Sequence, residues 1–296
     1  MMKRVMSLGL SLALAISLAA CSSSVSEAAS SAAATEEPTA VPEAEAPVTT
    51  FRIAGLKGPT TMGMVKLMSD AEAGETHQDY QVTMYGAADE VVPLLVKGDI
   101  DLAAIPANLA ANLYNQTEGK VQVAAINTLG VLYVVTTGDN VKSVEDLKGK
   151  TIYSTGKGTT PEYVLNYILK KNGIDPEKDL TVEYKSEATL QAAGEGAIAV
   201  LPQPYVTAAQ SKIEGLNVVL NLTEEWNKVS TDSDLVTGVL VARTEFIEQN
   251  EAAFEEFLKD YQSSIEWVNS NTADAAELVA NYGIVAKAPL AQKALP

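Results

Sequence analysis

A strand, a glycine-rich turn and a helix follow one another twice in this chain, with nearly the same turn each time. FRIAG leads through Lys57-Gly58-Pro59-Thr60-Thr61 into MGMVKLMSDAEAG, and KTIYST leads through Gly156-Lys157-Gly158-Thr159-Thr160 into PEYVLNYILKKNG. In the first helix Met64, Leu67 and Met68 recur at helical spacing and Gly74 marks the stop. In the second, Thr160 reads as the N-cap and Pro161 as the first helical residue, where a missing N–H costs nothing. Lys170 and Lys171 suit the carboxyl end of the helix dipole, and Gly173 ends the helix.

The correspondence extends downstream. YQVTMYG, Tyr80 to Gly86, is answered by LTVEYK, Leu180 to Lys185; the helix-compatible stretches ADEVVPLLVKG and SEATLQAAGEG follow them. DIDLAAIPANLAANL is answered by EGAIAVLPQPYVTAAQ, each an apolar strand stopped by proline, Pro106 or Pro202, then a polar turn and an alanine-rich helix. Each half therefore reads βαβαβα, the pattern of an α/β fold with a mostly parallel sheet and crossover helices. Such open sheets take ligands beyond the carboxyl ends of their strands, so two halves face to face would put the two turns on opposite walls of one cleft.

Turns of this composition suit an anion. A helix start presents unpaired N–H groups and partial positive charge. Gly58, Gly156 and Gly158 permit close backbone approach, Thr60, Thr61, Thr159 and Thr160 offer hydroxyls, and Lys57 and Lys157 offer charge. Pro59, Gly86, Ala87, Pro106, Asn108, Gln203, Pro204 and Tyr205 stand at the same strand ends and complete the candidate ligand-binding set, with Tyr205 as a stacking or hydrogen-bonding wall. Plainer roles stand beside these. Thr61 and Thr160 serve equally as helix caps, Lys57 and Lys157 as solvated turn residues, and Pro106 and Pro202 as strand stops. Trp226 is a second wall or a core or surface residue, Trp267 falls at core spacing in FEEFLKDYQSSIEWV, and His77 lies in the polar run ETHQD.

The ends of the chain concern address rather than fold. Lys3 and Arg4 precede an apolar run from Val5 to Leu18 that is shorter than the roughly 20 residues of a membrane span, the build of a secretory signal. Leu18-Ala19-Ala20-Cys21 resembles a bacterial lipobox, which implies cleavage before Cys21, acylation of its sulfur and a lipid anchor on the extracytoplasmic face of a bacterial membrane. Ser22 to Thr50 is a Ser, Ala, Glu, Pro and Thr tract with little to bury, expected to be a disordered tether. One cysteine and one histidine in 296 residues exclude an intramolecular disulfide and leave metal clusters short of ligands, so neither metal nor cofactor is expected. Twenty-one basic against 38 acidic residues, net −17, argue against nucleic acid as a partner.

SVEDLKGKTIYSTGKGTTPEYVLNYILKKNGIDPEKDLTVEY, Ser143 to Tyr184, resembles the second lobe of solute-binding proteins of ABC importers, in the nitrate, sulfonate and thiamine-precursor group. TGVLVARTEFIEQNEAAFEEFLKDYQSSIEWVNSN, Thr237 to Asn271, is similar to the same group. The resemblance implies a type II periplasmic-binding fold. Residues 51–134 and 238–296 would form lobe one and 135–237 lobe two, with LGVLYVVTT and LVTGVLVAR crossing a two-strand hinge. It also implies a monomer that closes on a small molecule and delivers it to a membrane permease. Members of the group run on past a point like APLAQKALP, so a truncation at Pro296 that affects part of lobe one or the hinge is expected here.

The turns and lysines favour an anionic or zwitterionic cargo, such as a sulfonate or an amino or aromatic acid. Tyr205 with Tyr85 or Trp226 would instead favour a flat heterocycle of the pyrimidine-precursor kind. Two other classes stay open. A pyrimidine-synthase-like enzyme would need catalytic groups beyond a lone loop histidine and a single cysteine, and a sensory binding subunit would carry the same sequence.

Overall fold

The computed structural model describes residues 47–185 and 196–295. The expected signal, Cys21 and nearly all of the tether lie outside the described residues, as does SEATLQAAGEG up to Glu195.

Two five-stranded sheets organise the chain. The first contains β1 (Thr50–Leu56), β2 (Asp79–Tyr85), β3 (Leu102–Pro106), β4 (Val121–Leu129) and β10 (Val236–Arg243), in the order β2-β1-β3-β10-β4. The second contains β5 (Leu132–Thr136), β6 (Thr151–Ser154), β7 (Thr181–Tyr184), β8 (Ile198–Pro202) and β9 (Asn217–Asn221), in the order β7-β6-β8-β5-β9. The two orders are the same arrangement written twice. In each, one strand runs against the other four: β10 is antiparallel to β3 and β4, and β5 to β8 and β9. Those reversed strands are the two that arrive from the other sheet's part of the chain, β5 directly after β4 and β10 after β9, so each half is completed by a strand the other half sends across.

The helices of the first sheet are α1 (Pro59–Met62), α2 (Val65–Ala73), α3 (Ala88–Lys97) and α4 (Ala107–Gln116). Those of the second are α5 (Thr160–Lys171), α6 (Tyr205–Gln210) and α7 (Leu222–Val229); α8 (Thr244–Gln249), α9 (Glu251–Ser270), α10 (Thr272–Asn281) and α11 (Ala288–Ala294) close the chain. MGMVKLMSDAEAG, expected as one helix, is split: α1 begins earlier at Pro59, and α2 starts only after Gly63 and Met64. Gly74 does end α2, in the left-handed conformation that glycine adopts without strain. Pro106 and Pro202 are the last residues of β3 and β8, as their missing N–H groups require.

Side-chain alternation covers the first sheet on both faces. Phe51 and Ile53 of β1 point into a cluster with Tyr80, Phe246, Phe257 and Tyr261, whereas Ala54 points the other way, toward Val91, Leu95 and Ile105. Phe51 is fully buried, with ring centroids of Tyr80, Phe246 and Phe257 at 5.3, 5.1 and 5.2 Å. Each such aromatic contributes about 1.5–3 kcal/mol through burial alone. The second sheet is likewise lined by Val134, Ile152, Val164 and Ile168 on one side and by Val135, Ala199 and Val206 on the other.

Two short segments join the halves. Between β4 and β5, Gly130 and Val131 both adopt positive φ, 68° and 67°. A Cβ on Gly130 would fall 2.2 Å from the Thr223 hydroxyl, which leaves glycine as the residue that fits. The second segment runs from α7 to β10, and the Gly130 N–H donates to the Leu235 carbonyl at 2.8 Å, tying the two crossings together.

Candidate functional site

The first turn closes tightly at the carboxyl end of β1. The Lys57 N–H donates to the Tyr85 carbonyl at 3.0 Å, linking the turn to the end of β2 beside Gly86; the Gly58 N–H donates to Leu56 O at 2.8 Å. Lys57 is exposed, whereas Thr60 and Thr61 are buried. Asn127 of β4 donates its side-chain N–H to Thr60 O at 3.0 Å, and Thr128 donates to Asn127 Oδ1 at the same distance. Gly238 of β10 packs against this cluster. A Cβ there would meet Thr60 Cγ2 at 2.6 Å, Thr128 Oγ1 at 2.8 Å and Asn127 Oδ1 at 2.9 Å.

Two hydroxyls of this wall are buried without a hydrogen-bond partner among the described residues, Thr61 Oγ1 and Tyr261 Oη. Burial pushes the Tyr261 phenol up to about 12, with the Asn127 side chain working the other way. Gly86 and Ala87 are exposed, and the Ala87 N–H is already taken by the Glu90 carboxylate at 2.9 Å.

The second turn departs from its expected capping. The N-cap is Thr159, with Thr160 and Pro161 in the first turn of α5, and neither threonine hydroxyl caps the helix. Thr159 donates to Gly156 O at 2.5 Å and Thr160 donates to Asn108 Oδ1 at 2.9 Å. A carboxylate stands at the helix start: Glu162 accepts the N–H of Gly158, the residue before the N-cap, at 2.5 Å, where the helix dipole favours negative charge. Gly156 and Gly158 hold positive φ of 68° and 74°, which explains glycine at both. Lys157 is exposed, with its ammonium 5.9 Å from the Tyr184 ring centre. Burial, the Glu162 charge and a hydrogen bond to Glu162 push the Tyr184 phenol up to about 12.

Asn108, two residues beyond Pro106 in the first turn of α4, brings the walls together. Its Oδ1 accepts from Thr160, and its Nδ2 donates to Gly158 O at 3.4 Å. Pro106 pairs with Gly238 in the sheet, so the first turn, the end of β3 and the start of α4 form one surface against which the second turn rests. Gln203 and Pro204 lie after β8: the Gln203 N–H donates to Val131 O in the hinge at 2.9 Å, and its side-chain oxygen accepts from the Thr207 hydroxyl at 2.9 Å. Gln203 thus braces hinge and helix. Tyr205 opens α6 and is half-buried; Pro59 opens α1.

Sequence reasoning did not single out Asn127, Thr128, Gly238 or Glu162. The spacing Thr159-x-x-Glu162 is a capping-box pattern and held the signal for the last; the others meet only through β4–β10 pairing. Trp226 packs its ring 4.6 Å from that of Tyr167 and against the core of the second sheet, and its indole N–H donates to Ser233 O at 2.8 Å. Trp267 is half-buried against the core formed by α2, α10 and α11, under the Lys66 ammonium, and His77 is exposed beside Glu256. Among the described residues no acidic, histidine or cysteine cluster could hold a metal, and no helix is long and apolar enough to cross a membrane.

A family model described as NMT1/THI5 like matches residues 79–275. The crystal structure of the periplasmic aliphatic sulphonate binding protein SsuA from Escherichia coli has a similar fold, with a TM-score of 0.67 at 20% identity over 85% of this chain and 84% of that one. The periplasmic nitrate-binding protein NrtA from Synechocystis PCC 6803 superposes with a TM-score of 0.58 at 15% identity, over 79% of this chain and 66% of that one. YtlA of Bacillus subtilis (strain 168) is 28% identical over 133 residues; the match spans 44% of this chain and 38% of that protein's length.

Proposed function

Since the chain belongs to the NMT1/THI5-like family, we propose that it is an extracytoplasmic solute-binding protein of ABC-importer type that captures a small organic anion or zwitterion between two lobes. The lobes of this reading are residues 51–134 with 238–296, and 135–237. The observation that carries it is Asn108, which reaches from the carboxyl end of the first sheet to both Gly158 and Thr160 of the second. A molecule held between those walls would touch both halves and stabilise their joined arrangement by its differential affinity for it. The fold it shares with SsuA and NrtA, named for sulphonate and nitrate, supports an anionic cargo.

The two walls suit different groups. α1 has no acidic residue in its first turn, whereas the start of α5 is already answered by Glu162. The anionic end of a cargo is therefore assigned to the first turn, at the start of α1, with Lys57 and Lys157 supplying charge from the rim and Tyr205 a wall. Delivery to a membrane permease, monomeric action and a lipid anchor on Cys21 complete the proposal. Binding without turnover is part of the same reading.

The test is a thermal-shift screen against sulfonates, amino acids, aromatic acids, nucleobases and pyrimidine precursors. A ligand at 100 times its dissociation constant stabilises by about 2.7 kcal/mol. A rise with sulfonates or acids that Lys157→Ala weakens by about 1–3 kcal/mol supports the charged contact. A rise with pyrimidines alone would replace the anion with a flat heterocycle stacked on Tyr205, and conversion of any ligand to product would replace binding with catalysis.

A further inference from the structure

An opening is bordered by Asn108 and Thr160, the pair whose side chains bond across the two halves. It has a volume of about 340 Å³, and besides those two residues its walls include Tyr163, Tyr167, Trp226 and Asp234 over an apolar floor. Tyr163 and Tyr167 stand one helical turn apart on α5, and Trp226 of α7 lies 4.6 Å from Tyr167, centroid to centroid. Tyr163 is 56% exposed, so much of its ring is uncovered. The Trp226 N–H is already bonded to Ser233 O, which leaves the ring's π surface as what it can offer a ligand. Tyr167 already receives a cation elsewhere, the Lys171 ammonium at 5.4 Å from its ring centre.

The charge of the lining is one-sided. Asp234 is exposed, makes no ion pair among the described residues, and is the one charged residue of this lining. Aromatic rings with a carboxylate attract organic cations, through the ring quadrupole and through charge. Asn108 belongs to the first half, Tyr163 and Trp226 to the second, and Asp234 to the hinge segment whose next residue receives the Gly130 N–H.

We propose that this pocket is a binding site for an organic ammonium cation, whose occupation favours the joined arrangement of the halves. It shares Asn108 and Thr160 with the cleft walls, but its aromatic and acidic groups, Tyr163, Tyr167, Trp226 and Asp234, have the opposite charge preference to the turn lysines.

Three probes sharing one ring separate charge from apolar fit: benzyltrimethylammonium, benzyl alcohol and benzenesulfonate. They are titrated into the full chain carrying Trp267→Phe, which leaves Trp226 as the one tryptophan, and its fluorescence is followed. Benzyltrimethylammonium is expected to give a saturable change at concentrations where benzyl alcohol and benzenesulfonate give none. Asp234→Asn should weaken it about fivefold, the scale of one solvent-facing charge pair, and Tyr163→Ala about threefold to fivefold, the scale of one exposed ring–cation contact. Both substitutions are at exposed positions, and circular dichroism confirms that the variants fold. Benzyl alcohol binding as well as the ammonium, benzenesulfonate binding better, or an affinity indifferent to both substitutions would each overturn the proposal.

Discussion

Replacing Asn108 with alanine removes both hydrogen bonds described here between the walls of the cleft while leaving each half's core untouched. The Thr160 hydroxyl to Asn108 Oδ1 bond is 2.9 Å and well formed, worth about 1 kcal/mol net; the Asn108 Nδ2 to Gly158 O contact at 3.4 Å is near the limit and worth about half that. When the halves part, water satisfies all of these groups, so the loss falls on the joined arrangement alone. About 1.5 kcal/mol corresponds to roughly a tenfold drop in the ratio of joined to parted molecules. Asn108→Asp should fall in between, because its carboxylate still accepts from Thr160 but cannot donate to Gly158. The assay is single-molecule energy transfer between dyes on cysteines placed at the exposed positions Glu118 and Lys178, with Cys21→Ser to remove the native thiol. An Asn108→Ala distance distribution identical to that of the parent would refute the bridge, and with it the observation on which the functional proposal stands.

Three further outcomes test the fold beneath the site. Asp101, whose side chain is 2% exposed, accepts from Arg52 N, Nε and Nη2 and from Arg243 Nη1, both arginines being partly exposed, so Asp101→Asn should cost about 1–3 kcal/mol in urea unfolding; no measurable loss would show the cluster to be solvated. Gly238→Ala must push its methyl against Thr60, Asn127 and Thr128 and should destabilise by about 1–3 kcal/mol, with a stability equal to the parent's counting against close packing at this wall. Several carboxylates sit below their usual range: Asp146 because the N–H groups of Lys142 and Ser143 donate to it, Asp175 through Lys178 and the Glu177 N–H, and Glu256 through Gln78 and His77. Their folded pKa values are depressed, so the stability they contribute is complete above about pH 4.5 and is lost as pH falls and they protonate. The urea midpoint should therefore be lower at pH 3 than at pH 7, and an unchanged midpoint would contradict these contacts.

Local chemistry made much of the architecture legible. The stops at Gly74, Pro106 and Pro202 and the doubled βαβ order follow from backbone constraints that act within a few residues, and the structure places strands and helices accordingly. Turn composition likewise located the strand ends from which Asn108, Thr160 and Gly158 meet. The errors came where a local preference had a competitor. Thr160 is a sound N-cap by type, yet the N-cap is Thr159 and the Thr160 hydroxyl bonds Asn108, 52 residues away. A single helix after the first turn was expected because Met64, Leu67 and Met68 share a face, but Gly63 has Ile265 of α9 against it and the helix restarts beyond.

The sequence by itself determined the α/β class, the repeat that pairs one half with the other, and the acidic balance of the chain, because periodicity, glycine and proline positions and charge are properties of neighbours along a chain. Only the tertiary structure decided what meets across the cleft. The reversed strands β5 and β10 carry Gly238 to Thr60 and the hinge to Gln203, and α7 brings Trp226 beside Tyr167 and the α5 face that also carries Tyr163. Those pairs lie tens to hundreds of residues apart, where no local pattern reaches, and their partners are fixed by strand pairing and close packing rather than by the identity of either residue.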